Sequence, residues 1–470
     1  RIDVGAAFVA ASPFSGPCTR AEEEDTSPPA TVCRVEVSSL VGRVTSLAVA
    51  LSVEHPRLSG LRVSLTDPNG TTVRLVDGPG RPGTVFREVI GRSVESAEPL
   101  SLFAGSPSEG TWTLRLEDDA GLAGGRLTSW ALLVEPEVPR PAAPAEPFSQ
   151  LLPTVTRNAG LYGSFFSTDV VLFNPDATPA DVTLSFFPSG APADRALSVD
   201  LRVPPRATRV LGDVVGNAFR TPGFGPVHVA APAGVVVASR TETTIAGGGA
   251  YGLLAGSVDP SSAIGLHDAP SWLAPVFREG SSRVNVGFIE VTGQPVSVEL
   301  LIRDASGSVT GRLAVDLGPY GSRQVTDVHR VASVPASSED LFEIRVLSGE
   351  GRVVAWAAAV DNGSNDGLLV VASKQQRDAF VPTTARSPGL FGAFFRTDLK
   401  LSNPWRAPVN VRVSFFPSKG SAPSQVVLSL GAWETRVFED ALESLMGIEE
   451  DSAGALRLQG QHLLHHVVLY

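Results

Sequence analysis

A repeat without gaps constrains this chain more than anything else in it. "LPTVTRNAGLYGSFFSTDVVLFNPDATPADVTLSFFPS" begins at Leu152 and "VPTTARSPGLFGAFFRTDLKLSNPWRAPVNVRVSFFPS" at Val381, an offset of 229 with 20 of 38 positions identical. A diverged copy, "LAPVFREGSSRVNVGFIEVTGQPVSVELLIRDASG", starts near Leu273, so the three stand about 107 to 122 residues apart. A fixed period of that size marks one folded unit used three times, and it matches the length of an immunoglobulin-like sandwich. Each copy runs through the same elements. An opening strand is followed by one ending at Asn-Pro or its equivalent, then by one ending in a Pro/Ser/Gly turn. A longer strand pair, a short helical piece ("DVVGNAF", "DVHRVAS", "DALESLM") and the closing strands complete the copy.

Pro and Gly make 83 of the 470 residues, and no helical apolar period runs beyond a few turns. Short alternating runs between turns predict antiparallel sheets. The expected fold class is all-β, a multidomain chain of antiparallel β-sandwiches. The net charge of -11, without a basic stripe, argues against nucleic acid as a partner. No apolar run reaches the ~18–20 residues of a membrane-spanning helix. Three lysines (Lys374, Lys400, Lys419) against 35 arginines suggest a GC-rich bacterial genome. The sequence begins at Arg1 without Met, which reads as a processed chain or a fragment.

Cys18 and Cys33 bracket the polar loop "CTRAEEEDTSPPATVC". In an exported protein a disulfide closing that loop is the favoured reading, contributing about 3 kcal/mol; two unlinked thiols in a cytosolic protein are the alternative. Residues 34 to about 135 then alternate cleanly. Leu61, Val63 and Leu65 point one way, Arg62 and Ser64 the other, before the hairpin signal Asp67-Pro68-Asn69-Gly70. The positions His55, Leu61, Leu65, Pro68, Gly70 and Thr71 carry a resemblance, continued by Gly110, Trp112, Leu114, Asp118, Gly125, Leu127 and Trp130. This segment resembles the P domain that follows the catalytic domain of subtilisin-like proprotein convertases. The resemblance implies a jelly-roll-like sandwich that stabilises a protease and is not itself catalytic. Gly60 departs from the acidic residue the family often carries there, which weakens any metal role that the family would imply. Nothing in the 470 residues reads as a subtilisin core.

The three copies resemble tandem β-sandwich repeats of secreted bacterial proteins, in phrases such as "GLYGSFFSTDVVLFNP" and "VDNGSND". The expected division is a strand-like arm over 1–16, a P-domain-like sandwich over 17–136 with the cysteine loop, and a semi-extended Pro/Ala linker over 137–150. The repeats follow over 151–265, 272–378 and 380–470, the last lacking its final strand.

Catalytic chemistry is hard to find. There is no Gly-x-Ser-x-Gly elbow, and His55, His228, His267, His329, His462, His465 and His466 form no metal spacing. His465 and His466 are adjacent on an expected strand and so point to opposite faces. "IAGGGAYG" near Gly247 lacks the Lys-Ser/Thr of a phosphate loop and reads as a hairpin loop. The chain is expected not to be an enzyme and to need no cofactor, calcium being the one candidate ion. Its candidate ligands are Asp361 and Asp366 in "DNGSND" and Asp118 and Asp119 in "EDDAG"; solvated turn chemistry is the competing reading. Asn69 and Asn362 match the glycosylation pattern, yet Asn-Gly is also the preferred tight-turn pair. Trp272, Trp405 and Trp433 read as covers for cores or interfaces, with carbohydrate binding as the alternative.

In the first two copies the late strands "GVVVASRTETT" and "GRVVAWAAAVD" are each followed by another strand. The third reaches its equivalent, Leu463 to Tyr470, where the sequence stops. Meanwhile the opening residues "VGAAFVAA" (Val4 to Ala11) are apolar and strand-like. Strand addition between subunits is an established mode of recognition, and a donor and an acceptor at opposite ends give an open filament. The expectation is an extracellular or cell-surface subunit that polymerises head to tail. Donor residues would be Val4, Ala6, Phe8 and Ala10, and acceptor residues Leu463, Leu464, Val467, Val468 and Tyr470. The alternative is a non-catalytic accessory region of a secreted protease or an adhesin, binding cell-surface or matrix components.

Overall fold

Alternating burial builds two facing layers in each unit, as separate sheets in the first unit and repeat 2 and as one bent sheet in repeats 1 and 3, and in this computed structural model the units follow one another along the chain. The structure describes residues 18–20, 30–37, 42–78, 84–118, 126–136, 140–141, 148–160, 164–244, 250–374, 376–419 and 422–469. The proposed donor strand, with Val4, Ala6, Phe8 and Ala10, lies outside them, as do Asp119 and Tyr470.

The first unit packs a five-stranded sheet against a three-stranded one. Leu61–Thr66 buries Leu61, Val63 and Leu65 and turns Arg62 and Ser64 outward, because successive side chains of a strand point to opposite faces. Asp67 fastens the following turn, its Oδ1 accepting from the amides of Asn69 and Thr71 at 2.9 and 2.7 Å. Trp112 is fully buried, packs edge-on against Phe103 at 5.3 Å and donates from Nε1 to the Ser108 carbonyl. The short strand Cys18–Arg20 pairs with Ala30–Val37 in a register that sets Cys18 opposite Cys33, and Cys33 is disulfide-bonded.

Repeat 1 is one nine-stranded sheet bent into two layers, which are joined where Arg157, Asn158 and Ala159 pair with Ser167, Phe166 and Phe165. Its front layer holds Gln150–Ala159, Gly223–Ala230, Ala180–Phe186 and Leu197–Val203, and its back layer Thr208–Leu211, Phe165–Phe173, Val236–Thr244 and Ala250–Gly256. Repeat 2 keeps this plan, with Ser271–Leu273, Leu341–Gly349, Val296–Arg303 and Val309–Leu317 in front. Ser322–Val325, Ser282–Glu290, Val353–Asp361 and Gly367–Val371 stand behind. The helical pieces fall at Val214–Asn217, Val328–Ala332 and Ala441–Ser444. Inside the stretch expected to be a spacer, Arg140–Pro141 pairs with Leu197 and Ser198 and extends the front sheet of repeat 1.

Repeat 3 differs at its end. Where repeat 1 turns between its closing strands with "APAGV", repeat 3 has no such breaker, and Ser452–Leu469 runs on as one strand. Its first half pairs with the front strands Gln376–Pro388 and Val409–Pro417. Its second half crosses to the back and pairs with Asp398–Ser402.

The main cores are separate: one cluster fills each unit. Trp112→Ala should therefore lower the stability of the first unit by about 3–5 kcal/mol. Scanning calorimetry should show that unit's transition moving alone; a common shift of all transitions would contradict independent cores.

Candidate functional site

The repeat signature "FFxTD" resolves into a fastening. Thr168 and Thr397, 229 apart, accept from the amides of Thr156 and Ala385 at 2.8 and 2.9 Å, tying the second strand to the first. Asp169 and Asp398 accept from the amides of Asp213 and Asp440 at 2.8 and 2.9 Å. In repeat 2 Asn285 does the same for Asp327 at 3.0 Å. Those three aspartates sit before the short helices with φ of 44°, 46° and 53°, a left-handed conformation that a non-glycine residue adopts only when held. Arg157 is ion-paired to Asp213, and Arg386 to Asp440 at 2.7 Å. Each guanidinium also covers the first phenylalanine of the signature, Arg157 over Phe165 and Arg386 over Phe394. The second phenylalanines, Phe166 and Phe395, lie so close over Gly160 and Gly389 that a Cβ there would meet the ring at 2.3 Å. The identical residues are thus largely architectural.

The module junctions carry the remaining unusual chemistry. Between the first unit and repeat 1, Arg209 holds Glu109 with two hydrogen bonds at 3.0 and 2.7 Å. Burial nevertheless pushes the Glu109 carboxyl above its usual range, against the pull of Arg209. Between repeats 1 and 2, Leu151 packs with Ile289, Val354 and Trp356. Tyr320 enters beside Phe187 and His228, with centroids 5.5 and 5.7 Å away. His228 is stacked on Phe148 at 3.9 Å, and burial lowers its pKa to about 3.

Between repeats 2 and 3, Trp433 meets Trp272 at 6.4 Å and lies under the Arg303 guanidinium at 4.7 Å. Gly307 is required below it, since a Cβ there would come within 2.1 Å of Trp433. Lys400 crosses the same junction, fully buried, its Nζ donating to the carbonyls of Asp340 at 2.7 Å and Pro275 at 3.2 Å. Loss of water brings its pKa down to about 7, despite the raising influence of Asp340 and Glu339. Beside it Asp340 also bonds His329 at 2.9 Å.

Trp272 is buried and Trp433 partly so, both at this junction, while Trp405 is exposed. Lys400 and Tyr320 escaped the sequence reading. A lysine in the alternating run "TDLKLSNP", where repeat 1 has Val171, was the available signal.

The calcium candidates Asp361 and Asp366 share one turn, the Asp361 amide donating to the Asp366 carbonyl at 2.9 Å. Asp361 Oδ1 accepts from the amides of Gly363 and Ser364 and from the Ser364 hydroxyl, and the Ser364 amide chiefly holds its carboxyl below the usual range. Asn362 and Asn365 accept from Arg283. The Asp366 carboxylate Oδ1 accepts from the amide of Gly367. Asp118 ends a strand opposite Leu61. Among the described residues no group of three or more His, Cys, Asp or Glu could hold a metal ion. His55 is buried with Nδ1 2.9 Å from the Arg57 carbonyl, and His267 is exposed.

The acceptor residues Leu463, Leu464, Val467 and Val468 belong to the strand Ser452–Leu469. In backbone register Val467 and Val468 pair with Lys400 and Leu399, and Leu464 pairs with Gln376. No described helix is long and apolar enough to cross a membrane.

Comparison with known proteins agrees with part of this picture. Residues 44–134 match the family model of the proprotein convertase P-domain, so this segment is similar to a non-catalytic domain type. Curated proteins give no match to the chain. Among solved structures the chain is similar to one described as a tetra-tandem repeat in the extending region of a large adhesion protein. The identity is 13% over 94% of this chain and 95% of that chain, with a TM-score of 0.12. A superposition that poor carries no argument.

The buried lysine yields a prediction with a definite sign. Its folded pKa of about 7 lies below the ordinary 10.5, so between those values the unfolded chain binds more protons. Stability contributed here rises with pH across that window, by at most about 1.4 kcal/mol per pH unit. Urea unfolding from pH 7 to 10 should show this slope in the native protein and its loss in Lys400→Met. Equal slopes in the two proteins would contradict the assignment.

Proposed function

We propose that this chain is a non-catalytic extracellular accessory region, in which rigidly joined sandwiches space and present a P-type module. The observation that carries this reading is the burial of both faces of Val353–Asp361. Val353, Ala355, Ala357 and Ala359 face the core of repeat 2; Val354, Trp356, Ala358 and Val360 face repeat 1. A junction built like a core holds modules at a fixed angle, as a spacer needs and a flexible tether does not. Similarity of residues 44–134 to a non-catalytic domain type supports it, and the disulfide fits an oxidising compartment. Binding of cell-surface or matrix components, as in an adhesin, belongs to this same reading.

Two measurements test it. Native protein should take up no thiol reagent until reduced, and then two equivalents per chain. The purified chain should turn over no peptide, ester or glycoside substrate. Free thiols in native material would remove the extracellular assignment, and turnover abolished by one point substitution would remove the accessory role.

A second reading is favoured by one edge. In repeats 1 and 2 the late back strand is paired on its outer side by Ala250–Gly256 and Gly367–Val371. Residues 465–469 pair with Asp398–Ser402 and, among the described residues, with no strand on the other side. An unpaired edge is a template for an added strand. Residues Val4 to Ala11 of another copy would supply it, giving a head-to-tail homopolymer. Deleting residues 1–12 should then reduce the mass of native assemblies to that of single chains; unchanged assemblies would exclude strand donation.

A further inference from the structure

The two repeat junctions share one docking geometry, and each of its two faces recurs exposed at an outer end of the array. Equivalent positions follow from register. The rows Leu152–Val227–Phe186, Leu273–Phe342–Ile302 and Val381–Leu456–Phe415 correspond. On the front face this aligns Leu151 with Trp272 and Phe380, and Phe187 with Arg303 and Phe416. On the back, the shared hydrogen bonds of Asp169, Asn285 and Asp398 align Phe173 with Ile289 and Ser402.

Two residues before the back-layer edge strands Thr208–Leu211, Ser322–Val325 and, in repeat 3, Thr435–Phe438 stand Arg206, Tyr320 and Trp433. All three adopt the left-handed conformation, with φ of 50°, 52° and 62°. At the first junction Tyr320 packs on Phe187, and the Gly190 amide donates to the Ser322 carbonyl. At the second, Trp433 packs on Arg303, and the Thr435 amide donates to the Ala305 carbonyl. In each case the front face of one module receives the back face of the next, with the left-handed residue as its plug.

Repeat 3 presents the same front face to solvent: Phe380 is 60% and Phe416 41% exposed. Repeat 1 presents the same back face: Phe173 is 38%, Val236 57% and Leu254 73% exposed. Apolar side chains clustered at positions buried elsewhere in the same chain mark an interface. The plug also fits. Repeat 2 offers a cation, Arg303, to an aromatic plug, whereas repeat 3 offers an aromatic, Phe416, to the exposed cationic plug Arg206; ring and guanidinium attract with either partner on either side.

We propose that copies of this chain stack end to end, the front face of repeat 3 around Phe380 and Phe416 seating on the back face of repeat 1 around Phe173 and Val236 of a second copy, with Arg206 as the plug. The two faces differ, so the contact is heterologous and propagates as an open rod. It goes beyond the accessory reading and requires neither an added strand nor residues 1–12.

Sedimentation velocity of the 470-residue chain over a concentration series tests it. The native chain should self-associate without an end point. Phe380→Asp and Val236→Asp should each weaken association by about 30-fold or more, as loss of a central interface anchor does. Mixed together, the two variants should form a 1:1 dimer and nothing larger, because each retains the face the other lacks. That dimer also shows that both variants are folded. A native chain that stays monomeric at every concentration would overturn the proposal, as would variants that associate like the native chain. Association lost on deleting residues 1–12 but kept in both variants would overturn it in favour of strand donation.

Discussion

Everything in the arrangement of these modules depends on a sheet buried twice. Alternation is the ordinary pattern of a strand with one wet face, and Val236–Thr244 in repeat 1 follows it, with Val237, Ser239, Thr241 and Thr243 inward. The equivalent strand of repeat 2, "VVAWAAAVD", has no polar residue before its last position. Its alanines facing the core leave room for the opposing sheet, while Trp356 and its neighbours cover repeat 1. At roughly 25 cal/mol per Å² of apolar surface, removing a second face from water contributes on the scale of a small core.

The junctions are not uniformly apolar, and the exceptions are informative. Lys400 and the Glu109–Arg209 pair are taken out of water where hydrocarbon would have been cheaper, since a buried charge is tolerated only with its hydrogen bonds supplied. Lys400 meets two main-chain carbonyls of repeat 2, and the Glu109 carboxylate meets a forked guanidinium. Such contacts demand one geometry and punish others. Apolar burial fixes how strongly the modules hold; these polar contacts fix the angle at which they do so.

Much of the fold was legible because it is written locally. Turn residues and two-residue alternation placed the strands, and the repeat placed the modules. What local reading could not supply was the partner of each outward face. Leu151, Trp272 and Phe380 occupy one position of the sandwich, yet two are buried and one is exposed, because only the neighbouring module decides. The signature "FFxTD" was equally visible without its reason: Thr168 and Asp169 act on backbone amides that lie 12 and 44 residues away. At the end of repeat 3, Leu463 to Tyr470 read as a strand of its own, whereas it continues Ser452–Leu469 without a turn, because no loop like "APAGV" separates the two halves. The candidate calcium ligands read as a cluster in sequence, but in space Asp361 folds its carboxylate onto its own turn.

On the proposed function, repeats 1 to 3 are held at fixed angles. Spin labels at Asp194 of repeat 1, in a short 3-10 turn, and Glu450 of repeat 3, in a loop, both exposed, allow a direct test by pulsed dipolar spectroscopy. Rigid junctions predict one narrow distance distribution, unchanged by salt. A broad or multimodal distribution would mean that the buried faces separate in solution, and the account built on them would fail.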